Sequence, residues 1–117
     1  MFAPINRIIL YVKNVEKVAE FYRRVFELEV IGAPEKGWIE LGAGGCNLAL
    51  HQAAKTASPR RAAVKIVFGV KDVTRAKALL ESRGLKLGPI HVSPNSTFCN
   101  GKDPEGNLLC IGNRGVA

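Results

Sequence analysis

The side chains able to do chemistry are few and scattered. His51 and His91 are the only histidines, and Cys46, Cys99 and Cys110 the only cysteines. An odd number of cysteines without C-x-x-C spacing predicts neither a disulfide framework nor a zinc knuckle, and fits a reducing cytoplasm. His51 closes an apolar run, Asn47–His51, that reads as a strand, so it is expected as a half-exposed strand histidine. His91 falls in the stretch Gly88-Pro89-Ile90-His91 and is expected on a surface loop. Gly42-Ala43-Gly44-Gly45 lacks the Lys-Ser/Thr pair of a phosphate-binding loop, and a strand follows it, so it is read as a hairpin turn.

With 117 residues, 47% hydrophobic and 23% charged, the chain is sized for one globular domain. No apolar run is long enough to cross a bilayer, and Met1-Phe2-Ala3-Pro4 shows neither the basic nor the apolar region of a signal peptide, so a cytoplasmic protein is expected. The net charge is +7, but the bases are scattered, and no dense run of them is interleaved with aromatics. That describes a solvated basic surface better than a nucleic-acid interface.

The elements that must position these groups can be read in order. Arg7–Val12 is β-branched and apolar, a buried strand. Asn14 then offers a cap to an amphipathic helix whose stripe is Val15, Val18, Tyr22, Val25 and Phe26. Short strands follow at Leu28–Ile31, Trp38–Leu41 and Asn47–His51, and a small, polar connection at 53–62. The pattern then restarts: strand Lys65–Val70, cap Asp72, helix Val73–Arg83 ended by Gly84, and strands Leu85–Leu87, Ser96–Asn100 and Leu108–Ile111. Before the last strand stands Asp103-Pro104-Glu105-Gly106. Asp can accept from the backbone two residues on, Pro presets φ, and Gly tolerates the positive φ that follows.

The restart is a repeat. A shift of 58 residues lays Ile8 on Ile66, Val12 on Val70, Lys13 on Lys71 and Val15 on Val73, and a shift of 60 lays Asn47 on Asn107 and Leu48 on Leu108. Two βαβββ modules result, at about 1–57 and 60–117. With Phe21-Tyr22 in the first helix and Asp103-Pro104-Glu105-Gly106-Asn107 before the last strand, the chain resembles the vicinal-oxygen-chelate superfamily of glyoxalases, bleomycin-resistance proteins and extradiol dioxygenases. The resemblance implies an α+β fold of two tandem modules, a curled, mostly antiparallel sheet lining a cavity with the helices outside, in a homodimer built side by side or by exchange of modules.

In metal-dependent members of that superfamily, ligands come from the first and the last strand of each module. Aligned on this sequence, those places are Arg7 and Lys65, and Leu50 and Cys110. Divalent metals in such cavities take imidazole nitrogen and carboxylate oxygen, so no metal and no other cofactor is expected. Slipping the first module by one residue would bring in His51 and still leave two cations. The resemblance thus favours a metal-independent protein that binds a small anionic organic molecule through Arg7 and Lys65, with Trp38 and Phe98 as apolar walls and Cys110 as a neighbouring thiol. A thiolate at Cys110 would be stabilised by those cations. The competing structural role for the cations is pairing with acids such as Glu40. The alternative function is a metal-dependent lyase, isomerase or dioxygenase of the same superfamily, and nucleic acid is a remoter partner.

Overall fold

The computed structural model describes residues 7–54, 64–94, 96–114 and 116. The expected connection at 53–62 lies, from residue 55 on, outside the described residues, as does the N-terminal Met1–Pro4 segment. The chain divides into two compact units, Met1–Arg60 and Arg61–Ala117.

The first unit runs β1 (Arg7–Val12), α1 (Val15–Phe26), β2 (Glu29–Val30), β3 (Trp38–Gly42) and β4 (Asn47–Gln52). Its sheet has the order β1-β4-β3-β2. The pairing of β1 with β4 is parallel, and those of β4 with β3 and β3 with β2 are antiparallel. Alternation along the strands splits the side chains between two faces. Leu10, Val12, Leu41, Leu48 and Leu50 share one face and are all buried. Helix α1 packs against β3 and β4, and its stripe of Val15, Val18, Ala19, Tyr22 and Val25 is buried. Burying a Leu side chain such as Leu50 contributes roughly 1.5–3 kcal/mol, so this stripe is what commits the unit to its register. Asn14 caps the helix by accepting from the Lys17 N–H at 3.0 Å.

The second unit repeats the plan: β5 (Lys65–Gly69), α2 (Val73–Ser82), β6 (His91–Ser93), β7 (Ser96–Lys102) and β8 (Leu108–Gly112). The sheet order is β5-β8-β7-β6, with β5 and β8 parallel and the other neighbours antiparallel. Asp72 caps α2 by accepting from the Arg75 N–H at 3.0 Å. The helix ends through Gly84, whose φ of +97° lets the Leu85 N–H turn back to the Leu80 carbonyl at 3.2 Å. Leu80, Leu85, Leu87, Cys99, Leu109 and Ile111 form its core. The fold class is α+β, two tandem βαβββ modules with mostly antiparallel pairing.

The Asp-Pro-Glu-Gly turn joins β7 to β8 as its chemistry predicts. The Asp103 carboxylate accepts from the N–H groups of Glu105 and Asn107, both at 2.9 Å, and from the Asn107 amide at 2.8 Å. The Gly106 N–H reaches the Asp103 carbonyl at 2.9 Å, with Gly106 at φ +80°.

One strand is not where the sequence places it. Leu85–Leu87 is core filling rather than a strand: among the described residues its ladder contact is the single bridge of Leu87 to Gly101. The edge strand comes later, at His91–Ser93, so His91 is a strand residue and not a loop residue. Among the described residues no helix is long and apolar enough to cross a membrane.

Candidate functional site

In each unit the sheet face turned away from its helix carries the candidate residues. On the first sheet that face is Arg7, Ile9 and Tyr11 of β1, Asn47, Ala49 and His51 of β4, and Glu40 and Trp38 of β3, as the pairing register dictates. Arg7 lies opposite Asn47, and Glu40 opposite Ala49. The Arg7 side chain therefore crosses β4 diagonally, and its Nε donates to Glu40 Oε2 at 3.0 Å. Asn47 Nδ2 donates to the same oxygen at 2.9 Å. These two contacts, Asn47 first and Arg7 second, hold the Glu40 carboxyl below the usual carboxylate range, against the opposing effect of burial. The Glu40 side chain is 12% exposed and that of Arg7 40%. The guanidinium is thus fixed at Nε and keeps an accessible outer edge.

Arg7 also stands 5.8 Å from the Trp38 ring centroid, a cation–π distance. Next along the face, Tyr11, His51 and Trp38 lie side by side on three neighbouring strands. The Tyr11 and His51 rings are 5.1 Å apart, and His51 meets Trp38 edge to face at 5.8 Å. His51 Nδ1 lies 2.8 Å from the Gln52 carbonyl oxygen.

The second sheet repeats this arrangement with different chemistry. Its open face holds Lys65 and Val67 of β5, Cys110 of β8, Asn100 and Phe98 of β7 and His91 of β6. Lys65 Nζ donates to Asn100 Oδ1 at 3.1 Å, the counterpart of the Arg7–Glu40 contact with a neutral amide in place of a carboxylate. Phe98 is paired with His91, ring centroids 5.1 Å apart. Cys110 is buried between Val67 and Asn100 in register. Burial pushes its thiol up, and Lys65 acts in the opposite, weaker sense, so the thiolate expected beside a cation is outweighed by desolvation.

The register corrects the alignment of the last strands. Leu50 is fully buried on the helix face, opposite to the face of Arg7. The residue that matches Cys110, on the open face and one pair in from the cation, is Ala49. The places implied for metal ligands are thus Arg7, Ala49, Lys65 and Cys110: two cations, a methyl group and one protonated thiol. Those groups do not fit a divalent ion. Among the described residues no three His, Cys, Asp or Glu side chains gather to hold a metal.

Tyr11 and His51 stand on the same face as Arg7 and Trp38, although neither is among the residues expected from sequence to bind a ligand. The signal was present, since Tyr11 has the same parity as Arg7 along β1. A cavity of about 300 Å³ lies elsewhere on the first unit, at the N-terminus of α1, lined by Asn14, Glu16, Glu35, Lys36 and Gln52 among others. None of Arg7, Trp38, Lys65, Phe98 or Cys110 lines it.

Comparison with known proteins covers nearly the whole chain. Residues 4–111 match the family model of the Glyoxalase/Bleomycin resistance protein/Dioxygenase superfamily. The fold is similar to that of lactoylglutathione lyase from Agrobacterium tumefaciens, at 26% identity and TM-score 0.75, covering 95% of this chain and 93% of that one. It is also similar to TnmS3, an antibiotic-binding protein from Streptomyces sp. CB03234, at 18% identity and TM-score 0.80, covering 97% of each chain. A third similar fold is a glyoxalase/bleomycin resistance protein/dioxygenase from Nocardioides, at 18% identity and TM-score 0.82, covering 100% of this chain and 87% of that one. No curated protein sequence matches the chain.

Proposed function

The chain belongs to the Glyoxalase/Bleomycin resistance protein/Dioxygenase superfamily, and on that premise we propose that it binds a small anionic organic molecule without a metal ion, with Arg7 and Lys65, each on the open face of its own unit, as the candidate anchors. The observation that carries this reading is the replacement of donor atoms by cations at the first-strand position of both open faces, each cation steadied by an acceptor two strands away. Arg7 has its Nε engaged by Glu40, which presets the plane of the guanidinium and leaves the outer N–H groups for a carboxylate, phosphate or sulfonate. Lys65 is held by the neutral Asn100 amide, so its charge has no carboxylate against it in that contact. Trp38 and Phe98 supply apolar walls beside the two cations, and Cys110 a neutral thiol.

The competing reading is a metal-dependent lyase, isomerase or dioxygenase, favoured by the likeness to a lactoylglutathione lyase. A thermal-shift screen of carboxylates, phosphates and sulfonates, with and without Ni²⁺, Zn²⁺ and Mn²⁺, separates the two. A ligand that binds only the native state raises the melting temperature with its occupancy. A shift with an anion alone, lost in Arg7→Ala or Lys65→Ala, supports the cationic site, whereas a shift that requires metal overturns it. A cytoplasmic homodimer is part of the same proposal. It is supported by the open edges of β1 and β5, where Ile8, Ile9 and Val67 are exposed, and sedimentation analysis of the purified chain tests it.

A further inference from the structure

The proposed anion site says nothing about the body of the ligand, and the first sheet does. Tyr11, His51 and Trp38 form a row of rings across three adjacent strands, and the row is open: Tyr11 is 65% exposed and His51 is exposed beside it. Exposed aromatic surface costs solvation unless something covers it. Aromatic rings that meet in offset or edge-on geometry gain more than their buried area alone would give, which a saturated ring of the same size does not.

His51 adds a directional requirement. A carbonyl oxygen can only accept, so the 2.8 Å contact between His51 Nδ1 and Gln52 O places the proton of the neutral ring on Nδ1. Nε2 is then left as an acceptor, with no hydrogen bond given to it among the described residues. A group lying along the row would satisfy Nε2 only by presenting an O–H or N–H.

We infer that the open face of the first sheet takes a planar aromatic molecule carrying a hydrogen-bond donor, a phenolic hydroxyl or ring N–H, which His51 Nε2 accepts while the ring lies against Tyr11 and Trp38. This rests on the small-molecule-binding reading and adds to it the chemical class of the ligand. His51 acts here as a specificity residue, choosing hydroxylated over bare rings, and Arg7 beside Trp38 suits an anionic substituent on the same ring system.

Calorimetric titration of the full chain at pH 8 tests this with 6-hydroxy-2-naphthoate, 2-naphthoate, cyclohexanecarboxylate and the uncharged 2-naphthol. The hydroxynaphthoate is expected to bind ~5- to 10-fold more tightly than 2-naphthoate, the return on one hydrogen bond to a group otherwise left unpaired. Cyclohexanecarboxylate is expected to bind weakest of the acids. His51→Phe keeps a flat ring in the row, retains 2-naphthoate binding, and brings the hydroxyl preference to about 1-fold. Equal binding of cyclohexanecarboxylate, a hydroxyl preference that survives His51→Phe, or no binding of the hydroxynaphthoate up to millimolar concentration would each overturn the inference. The anion reading fails separately: if 2-naphthol binds as tightly as the hydroxynaphthoate and Arg7→Ala and Lys65→Ala change nothing, the aromatic row stands and the cationic anchor does not.

Discussion

Replacing Asp103 tests whether hydrogen bonding in the β7–β8 turn stabilises the second unit. Asp103 is 5% exposed, and its two carboxylate oxygens take the Glu105 N–H, the Asn107 N–H and the Asn107 side-chain amide. Asp103→Ala deprives these three half-buried donors of their acceptor. At about 1 kcal/mol for each donor left unpaired, the loss is about 3 kcal/mol. For a chain of this size each kcal/mol lowers the melting temperature by about 4 °C, so a fall of about 12 °C is expected. Asp103→Asn keeps an oxygen for both backbone donors, and the Asn107 amide can turn to meet the new NH₂ group. That variant is expected to lose only about 1 kcal/mol, or about 4 °C. Differential scanning calorimetry with urea unfolding followed by circular dichroism reads both variants. A loss under about 1 kcal/mol in Asp103→Ala, or equal losses in the two variants, would refute the count of donors, since the first would mean water replaces the carboxylate and the second that charge rather than acceptor number matters.

Three further outcomes follow from the same geometry. Asn47→Ala removes the main contact that lowers the Glu40 carboxyl, so its titration, followed by carboxyl-carbon NMR, is expected to move up toward the ordinary value; because the depressed group stabilises the fold above its unfolded pKa and loses that effect as pH falls through its folded one, the variant's stability deficit is expected at neutral pH and not in acid. Iodoacetamide is expected to modify the half-buried Cys46 first, with Cys99 and Cys110 resisting until the chain is unfolded, because burial both shields them and pushes their thiols up; mass spectrometry of the time course would contradict this if Cys110 reacted first. Glu27 ends α1 with φ +59°, a left-handed conformation that Gly84 serves without strain in α2, so Glu27→Gly is expected to raise stability by about 0.5–1 kcal/mol in urea unfolding.

Much of this architecture is legible in residue types. Asn14 and Asp72 act as caps because short polar side chains before an apolar stripe have an acceptor to offer and nowhere better to use it. Asp103-Pro104-Glu105-Gly106 turns where it should for similarly local reasons. The misplaced strand shows the limit. Leu85-Lys86-Leu87 alternates buried, exposed, buried as a half-buried strand would but only fills the core, and His91–Ser93 is a three-residue edge with every side chain exposed, so alternation points to the wrong stretch. The site fails to be legible for a subtler reason. Loops of unequal length between the modules leave the last strands uncertain by one residue, and one residue exchanges the faces, turning Ala49 into Leu50. Arg7 and Lys65 begin the first strand of each unit, with no such gap before them, while the partnership of Tyr11, His51 and Trp38 depends on pairing that a linear pattern does not display.

Trp38 is the chain's single tryptophan, and it lies in the first of two units built on the same plan. Indole emission is therefore a one-sided observable: its source stands on β3, paired with β4 of the first unit, whereas circular dichroism sees α1 and α2 together. If the two halves of this duplicated chain come apart in one step, the optical and spectropolarimetric melting curves superimpose. If the halves have kept separate fates since their duplication, the emission curve breaks away from the other, and the order in which they part tells which copy carries its neighbour.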